Sequence, residues 1–299
     1  MMTRLYRAAA DRCADLIATS PSLEPAFVKA GAHVWSAPGV GKFYRSAAHR
    51  VAERIRSAGT PYRTLNVAGV PLVLDATEFT TLGLYFGGRV YESVTTSFLA
   101  ATLTPGAVFV DIGANHGYFS MLAAALVGES GRVVSFEPNP AVFAQLEAHA
   151  TLNGFGARVT AMQMALSDAP DAAARLFVSQ QRDNSGLSSL TPSEDTLKDG
   201  GLSAAHTIAV RVDTFDTWRA GAGLAHVDLL KIDVEGAEAH VVAGMRASLA
   251  GGHIDRLIVE TVWGSAAHRA LCDAGYEPRV LDPVGALSNI LYLKHGIAR

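Results

Sequence analysis

From Val108 onward the chain alternates short, β-branched-rich runs with helical patterns, and this alternation constrains the fold more than any other feature. VFVDIG leads into a helical pattern over 117–126, and RVVSFEP into one over 140–152. RVTAMQMALS follows; later come HVDLLKIDV, a helix over 237–249, and DRLIVETVW. Such a βαβα order predicts an α/β fold: a doubly wound, mainly parallel sheet with helices on both faces and ligands at the strand C-terminal edge. YEPRVLD and NILYLKH, joined by a short link, predict an antiparallel pair at the end of that sheet. A long insert, 168–212, carries two more strand-like runs, ARLFVS and HTIAVRV, around a polar middle that reads as a surface loop.

The first sixty residues differ. Leu5, Ala9, Cys13 and Leu16 recur at helical spacing, as do Val40, Phe43, Tyr44, Ala47, Val51 and Ile55. Gly59-Thr60-Pro61 supplies a stop. This part holds nine Lys/Arg against four Asp/Glu, whereas the remainder holds sixteen against twenty-four. Lys42, Arg45, Arg50, Arg54 and Arg56 fall mostly off the apolar stripe, which reads as a solvated face or as contact with an anionic surface or partner subunit. Residues 62–75 read as a hairpin or two short strands, and 92–103 as a helix. The expected organisation is a helical extension over 1–60, a lead-in over 61–105 and the α/β domain over 106–299. The apolar stripes of the extension need a partner surface, so it is expected to form a homodimer or to cap the ligand site at the strand C-terminal edge.

Composition narrows the function classes. At 49% hydrophobic and 18% charged residues, the chain is no disordered polymer. A net charge of −3 gives no global field for nucleic acid. Two distant cysteines, Cys13 and Cys272, exclude a disulfide framework or a cysteine-rich zinc module. Asp11, Arg12 and Asp15 interrupt any signal-like apolar run, and no stretch is long enough to span a membrane, so a cytoplasmic protein is expected.

The chemistry concentrates at two strand ends. The first runs into Asp111-Ile112-Gly113-Ala114-Asn115-His116-Gly117, where small residues let a ligand approach the backbone. The next ends in Ser135-Phe136-Glu137-Pro138-Asn139, with an acid placed to accept both hydroxyls of a ribose. This fits a nicotinamide cofactor or an adenosine-containing methyl donor. Asn115 stands where the dinucleotide fingerprint needs its second glycine, and Asp111 would repel a phosphate but attract an amino-acid tail. Both features favour the methyl donor.

The chain resembles the class I S-adenosylmethionine-dependent methyltransferases, and specifically the FkbM family. The resemblance rests on FVDIGANHGYFS (109–120), SFEPNP (135–140), ALSD (165–168), NSGLSSL (184–190), VRVDTFD (210–216) and DLLKIDVEGAEAHVVAGM (228–245). It implies a seven-stranded Rossmann-like sheet with a C-terminal antiparallel strand. It also implies a donor site in which Asp111, Gly113, Ala114 and Asn115 line the methionine portion, with Tyr118 just beyond. By the same resemblance Glu137 holds the ribose, Pro138 and Asn139 lie by the adenine, Ala165, Leu166 and Ser167 flank that ring, and Tyr91 and Glu92 close over the methionine end. The implied activity is O-methylation of a hydroxyl on a sugar, glycolipid, polyketide or related metabolite.

A neutral alcohol needs a base or a metal to react near neutral pH. Lys231, Asp233 and Glu235 alternate at the end of a core strand, where charges are costly unless paired or used. Asp233 or Glu235 is the expected base, with Lys231 tuning the charge and Glu260, ending the next strand, a third candidate. The competing reading has these acids cap the following helices. The three carboxylates are of the type Mg²⁺ takes, but their number alone shows no metal and none is assigned. Ser188, Ser189 and Asn184 are expected in the acceptor wall. His116 is either an acceptor contact or a partner at the helix start.

Overall fold

Period-two alternation puts Val110, Ile112, Val134, Phe136, Leu230 and Ile232 into one apolar core cluster and turns the intervening residues to the opposite face of the sheet. The computed structural model describes residues 2–179, 188–192, 197, 202–203, 205–284 and 287–297. They fall into two compact units, which meet in sequence at Ser93 and Val94.

In the first unit, α1 (Met2–Thr19), α2 (Glu24–Val34) and α3 (Val40–Ser57) precede a hairpin of β1 (Tyr62–Val67) and β2 (Val70–Asp75), then α4 (Phe79–Gly87). Ala14 and Ile17 of α1 pack with Tyr44, Val51 and Ile55 of α3 and Phe86 of α4. Of the stripe expected on α1, Cys13 packs against this cluster while Ala9 and Leu16 are exposed; the buried face of the helix is Ala10, Ala14 and Ile17. Four basic residues of α3 are engaged within this unit: Arg50 and Arg54 pair with Asp11 and Asp15, Arg45 donates to the Trp35 carbonyl, and Arg56 donates to Thr77, whereas Lys42 is exposed as a solvated face requires. Helices α2 and α4 went unread because Pro25 and the glycines of 83–88 look like breakers; Pro25 is tolerated in the first turn of α2, where its missing N–H costs nothing.

In the second unit, α5 (Ser93–Thr102, whose first residue still belongs to the first unit) leads to β3 (Val108–Ile112), α6 (Tyr118–Leu126), β4 (Arg132–Phe136), α7 (Pro140–Leu152) and β5 (Val159–Met162). Then follow β6 (Ala165–Leu166), β7 (Asp171–Phe177), β8 (Thr207–Asp213) and α8 (Phe215–Gly221). The chain ends with β9 (Leu229–Ile232), α9 (Glu238–Ala243), α10 (Arg246–Ala250), β10 (Arg256–Thr261), α11 (Ala266–Asp273), β11 (Tyr276–Val284) and β12 (Leu287–Lys294).

The seven-stranded sheet has the order β11-β12-β10-β9-β3-β4-β5. β3, β4, β5, β9 and β10 are parallel, and β12 inserts antiparallel between β10 and β11. Winding runs outward from β3 in one direction and from β9 in the other. Right-handed crossovers then place helices on both faces and a crevice at the β3/β9 switch point. The expected doubly wound Rossmann-like sheet is thus present.

Two details differ from the sequence reading. RVTAMQMALS does not form one strand: β5 stays in the main sheet, while β6 joins β8 and β7 in a separate three-stranded sheet built from the insert. The helix expected over 237–249 breaks into α9 and α10 at Gly244, where a Cβ would lie 1.9 Å from the Ser167 carbonyl oxygen. Among the described residues, no helix is long and apolar enough to cross a membrane.

Candidate active site

At the switch point, the turn after β3 and the segment after β9 touch. Gly113 has φ 84°, and its N–H and that of Ala114 both donate to the Phe136 carbonyl (3.0 and 2.9 Å). Asp233 N–H donates to the Ile112 carbonyl at 3.0 Å. This lacing brings the ends of β3, β4 and β9 to one edge.

Glu137 closes the turn from the β4 side. Its two carboxylate oxygens each accept one backbone N–H, from Asn139 at 2.8 Å and from Asn115 at 3.0 Å. Burial nevertheless pushes its carboxyl up to about 7, against the pull of those two amides. Asn115 stands in the left-handed region (φ 51°), and its Oδ1 is buried with no hydrogen-bond partner among the described residues. A buried oxygen without a donor beside an acid with spare lone pairs is a site built for a ligand's N–H and O–H groups.

Asp111 is 1% exposed, and its charge helps raise the Glu137 carboxyl. It lies in register with Ser135 on one side and Lys231 on the other, and Ser120 of α6 donates to its Oδ2 at 2.6 Å. Ser135 in turn donates to Ser120 at 2.8 Å. Ala114 and Tyr118 are buried, and the Tyr118 hydroxyl accepts from Thr96 at 3.3 Å. Pro138 is half-buried, while Asn139 caps α7 through the Ala141 N–H (3.1 Å).

The residues expected around the adenine are engaged in packing. Ala165 packs with Leu176, Val210 and Val212, Leu166 joins the main core, and the Ser167 hydroxyl donates to Asp168. Tyr91 and Glu92 belong to the first unit, with Glu92 at φ 37°. The His116 carbonyl accepts from the His149 ring at 2.7 Å.

The acidic segment is a graded cluster. Lys231, 2% exposed, donates to Asp233 Oδ2 at 2.8 Å and lies 4.7 Å over the Phe119 ring. Burial alone would raise Asp233, but Lys231 outweighs it and holds this carboxyl below the usual range. Glu260 is pushed up to about 8 by burial and by the charge and hydrogen bond of Asp233. Burial, Asp233 and Glu238 push Glu235 up to about 7. Glu238, which sequence reasoning passed over, is raised mainly by burial although its Oε1 accepts the Gly236 N–H at 2.9 Å. Its position three residues after Glu235 at a helix start was the available signal.

Neither helix-capping reading holds for these acids. α9 is preceded by Ala237, which offers no side-chain cap, and α11 is capped by Ser265, which accepts the His268 N–H. The strict alternation expected through Glu235 also fails: β9 ends at Ile232 and Glu235 turns left-handed at φ 52°. Among the described residues, the ligand atoms of Asp233, Glu235 and Glu260 do not gather into a metal-sized group; those of His226, Asp228 and Asp255 do, elsewhere in the chain. Ser188 accepts from the Ser179 N–H, Ser189 is buried, and Asn184 lies outside the described residues.

The family described as the Methyltransferase FkbM domain matches residues 111–276. The AMB antimetabolite synthetase AmbE of Pseudomonas aeruginosa is 32% identical over 170 residues, 48% of this chain and 8% of that protein. The 31-O-demethyl-FK506 methyltransferase FkbM of Streptomyces tacrolimicus is 36% identical over 168 residues, 48% of this chain and 61% of that protein. The crystal structure of a methyltransferase FkbM from Methylobacillus flagellatus covers 91% of this chain and 59% of its own, at 15% identity and a TM-score of 0.40. The chain thus spans less than two thirds of the length of each of these three proteins.

Proposed function

Because the chain belongs to the FkbM methyltransferase family, we propose that it transfers a methyl group from S-adenosylmethionine to a hydroxyl of a sugar, glycolipid, polyketide or related metabolite in the cytoplasm. The observation that carries the donor assignment is the buried Glu137 carboxylate, tied to Asn115 and Asn139 yet left with lone pairs for two ribose hydroxyls. Asn115 Oδ1 suits an N–H donor of the same molecule. When bound, the donor supplies an electrophilic methyl group on a sulfonium. Family membership and the Asn115 substitution weigh against a nicotinamide oxidoreductase, and the intact acid cluster weighs against an inactive scaffold.

Among the carboxylates, Glu235 best suits a base. Lys231 makes Asp233 a weak base, and Glu260 is tied to Asp233. Glu235, with its carboxyl near 7, can accept the proton that the acceptor hydroxyl loses. Trp263 supports a ring-bearing acceptor. It is 56% exposed, three residues beyond Glu260 on the same sheet edge, with its ring braced 4.4 Å from that of His268. Such an apolar face stacks on the C–H face of a sugar or a macrocycle.

Calorimetry with S-adenosylhomocysteine tests the donor half. A folded chain that gives no binding heat sinks it. Transfer of labelled methyl to hydroxylated glycosides and polyketides tests the acceptor half, and incorporation only at nitrogen or carbon sinks that part.

A further inference from the structure

The insert sheet of β6, β7 and β8 is fastened to the segment that follows β9. The Ser167 carbonyl occupies the space a side chain at Gly244 would need, and Asp168 pairs with His240 at 3.4 Å. The third fastening reaches the acid cluster itself. Ser189 exchanges both backbone hydrogen bonds with Phe177 at the end of β7 (2.9 and 3.0 Å) and is 1% exposed. Its hydroxyl accepts the Thr191 N–H at 3.1 Å and donates to the Glu235 carbonyl at 2.7 Å.

Glu235 is where such a hold is needed. A non-glycine residue at φ 52° persists only when its surroundings determine it. Ala237, just before α9, offers no side-chain cap to do so. The Ser189 hydroxyl is turned to this carbonyl, so it faces inward and is no part of an acceptor wall.

We infer that Ser189 is a positioning residue for Glu235: its hydroxyl, anchored through Phe177 to the insert sheet, fixes the left-handed backbone that keeps the Glu235 carboxyl inside the acid cluster. This rests on the reading of Glu235 as the proton acceptor. Without the hydroxyl the backbone relaxes toward negative φ and the carboxyl moves into water.

The test is a pH titration of the full chain labelled with ¹³C-carboxyl glutamate, with the Glu235 resonance assigned by its loss in Glu235→Gln. Calorimetry with S-adenosylhomocysteine runs alongside. In Ser189→Ala the Glu235 carboxyl is expected to titrate lower by about one pH unit or more, with nucleoside affinity within about twofold of the unsubstituted chain. Ser189→Thr, which keeps the hydroxyl, is expected to titrate as the unsubstituted chain does. An unchanged Glu235 midpoint in folded Ser189→Ala overturns the inference, as does Ser189→Thr behaving like Ser189→Ala. Should Ser189→Ala fail to fold, Ser189→Cys keeps the size with a weaker donor. Its midpoint is expected to fall partway, and no fall overturns the inference. Absent nucleoside binding by the unsubstituted chain defeats the donor reading alone, because the titrations need no donor.

Discussion

A Cβ on Gly113 would stand 1.8 Å from the backbone oxygen of Asp233. The turn at Gly113 and the acid segment are therefore packed backbone to backbone, and no rotamer change can relieve an added methyl. The φ of 84° adds to the cost. Gly113→Ala is expected to lose about 2–4 kcal/mol of stability in urea unfolding and to lose nucleoside binding with it. A variant that melts with the unsubstituted chain would show that the two segments are not locked together.

Glu137 is expected to link protonation to donor binding. Its folded carboxyl sits near 7 because burial outweighs two amide hydrogen bonds, so hydroxyl groups of a ribose meet a carboxylate only above that pH. Affinity for S-adenosylhomocysteine is expected to fall by up to about tenfold per unit between pH 7 and pH 5. Glu137→Ala is expected to weaken binding by about ten- to a hundredfold at pH 8, where the lost partner is charged. Calorimetry at three pH values checks both; a flat profile with an unaffected variant would remove Glu137 from the site.

The parallel core was legible because its strands are buried runs with helical patterns between them, and the turn at Gly113 was legible because its small residues interrupt those runs. What failed is tertiary. No local pattern says that β6 leaves the main sheet, since Ala165 and Leu166 are as apolar as Val159. Alternation placed Lys231 beside Asp233 correctly, but could not foresee that Glu235 leaves extended backbone at φ 52°. The inward turn of Ser189 depends on a partner 46 residues away, and serine in a polar stretch carries no sign of it.

Glu260 makes stability fall with rising pH. The unfolded chain releases this proton near 4.5, whereas the folded chain holds it to about 8. The contribution of the neutral carboxyl is complete below the lower value and is lost as pH climbs through the upper one. Glu260→Gln keeps a donor toward Asp233 without the charge. Its melting temperature is expected to fall less than that of the unsubstituted chain between pH 6 and pH 9, by on the order of 2–4 °C. Parallel curves would mean that Glu260 ionises freely.

Trp263 is expected to separate acceptor binding from donor binding. Trp263→Ala is expected to raise the acceptor KM by about three- to tenfold, with nucleoside affinity unchanged and Trp263→Phe retaining most of the effect. The measurement is labelled methyl transfer to whichever glycoside or polyketide gives turnover. Loss of kcat with KM unchanged would place the ring outside the acceptor path.

On the proposed function, Glu235 is the group that takes the acceptor's proton. A carboxyl near 7 is half ionised where the reaction has to run, and it gains basicity from burial and from the neighbouring Asp233 and Glu238 charges. kcat is expected to rise with pH through about 7 and then level, and Glu235→Gln is expected to lower kcat by about 10²–10⁴ while leaving nucleoside affinity alone. Asp233→Asn should act differently. It removes the carboxylate charge that accepts from buried Lys231, so it is expected to cost about 3–5 kcal/mol of stability before any rate is measured. Single-turnover rates of the folded variants distinguish the two roles: a Glu235→Gln enzyme at full rate would move the base to another carboxylate.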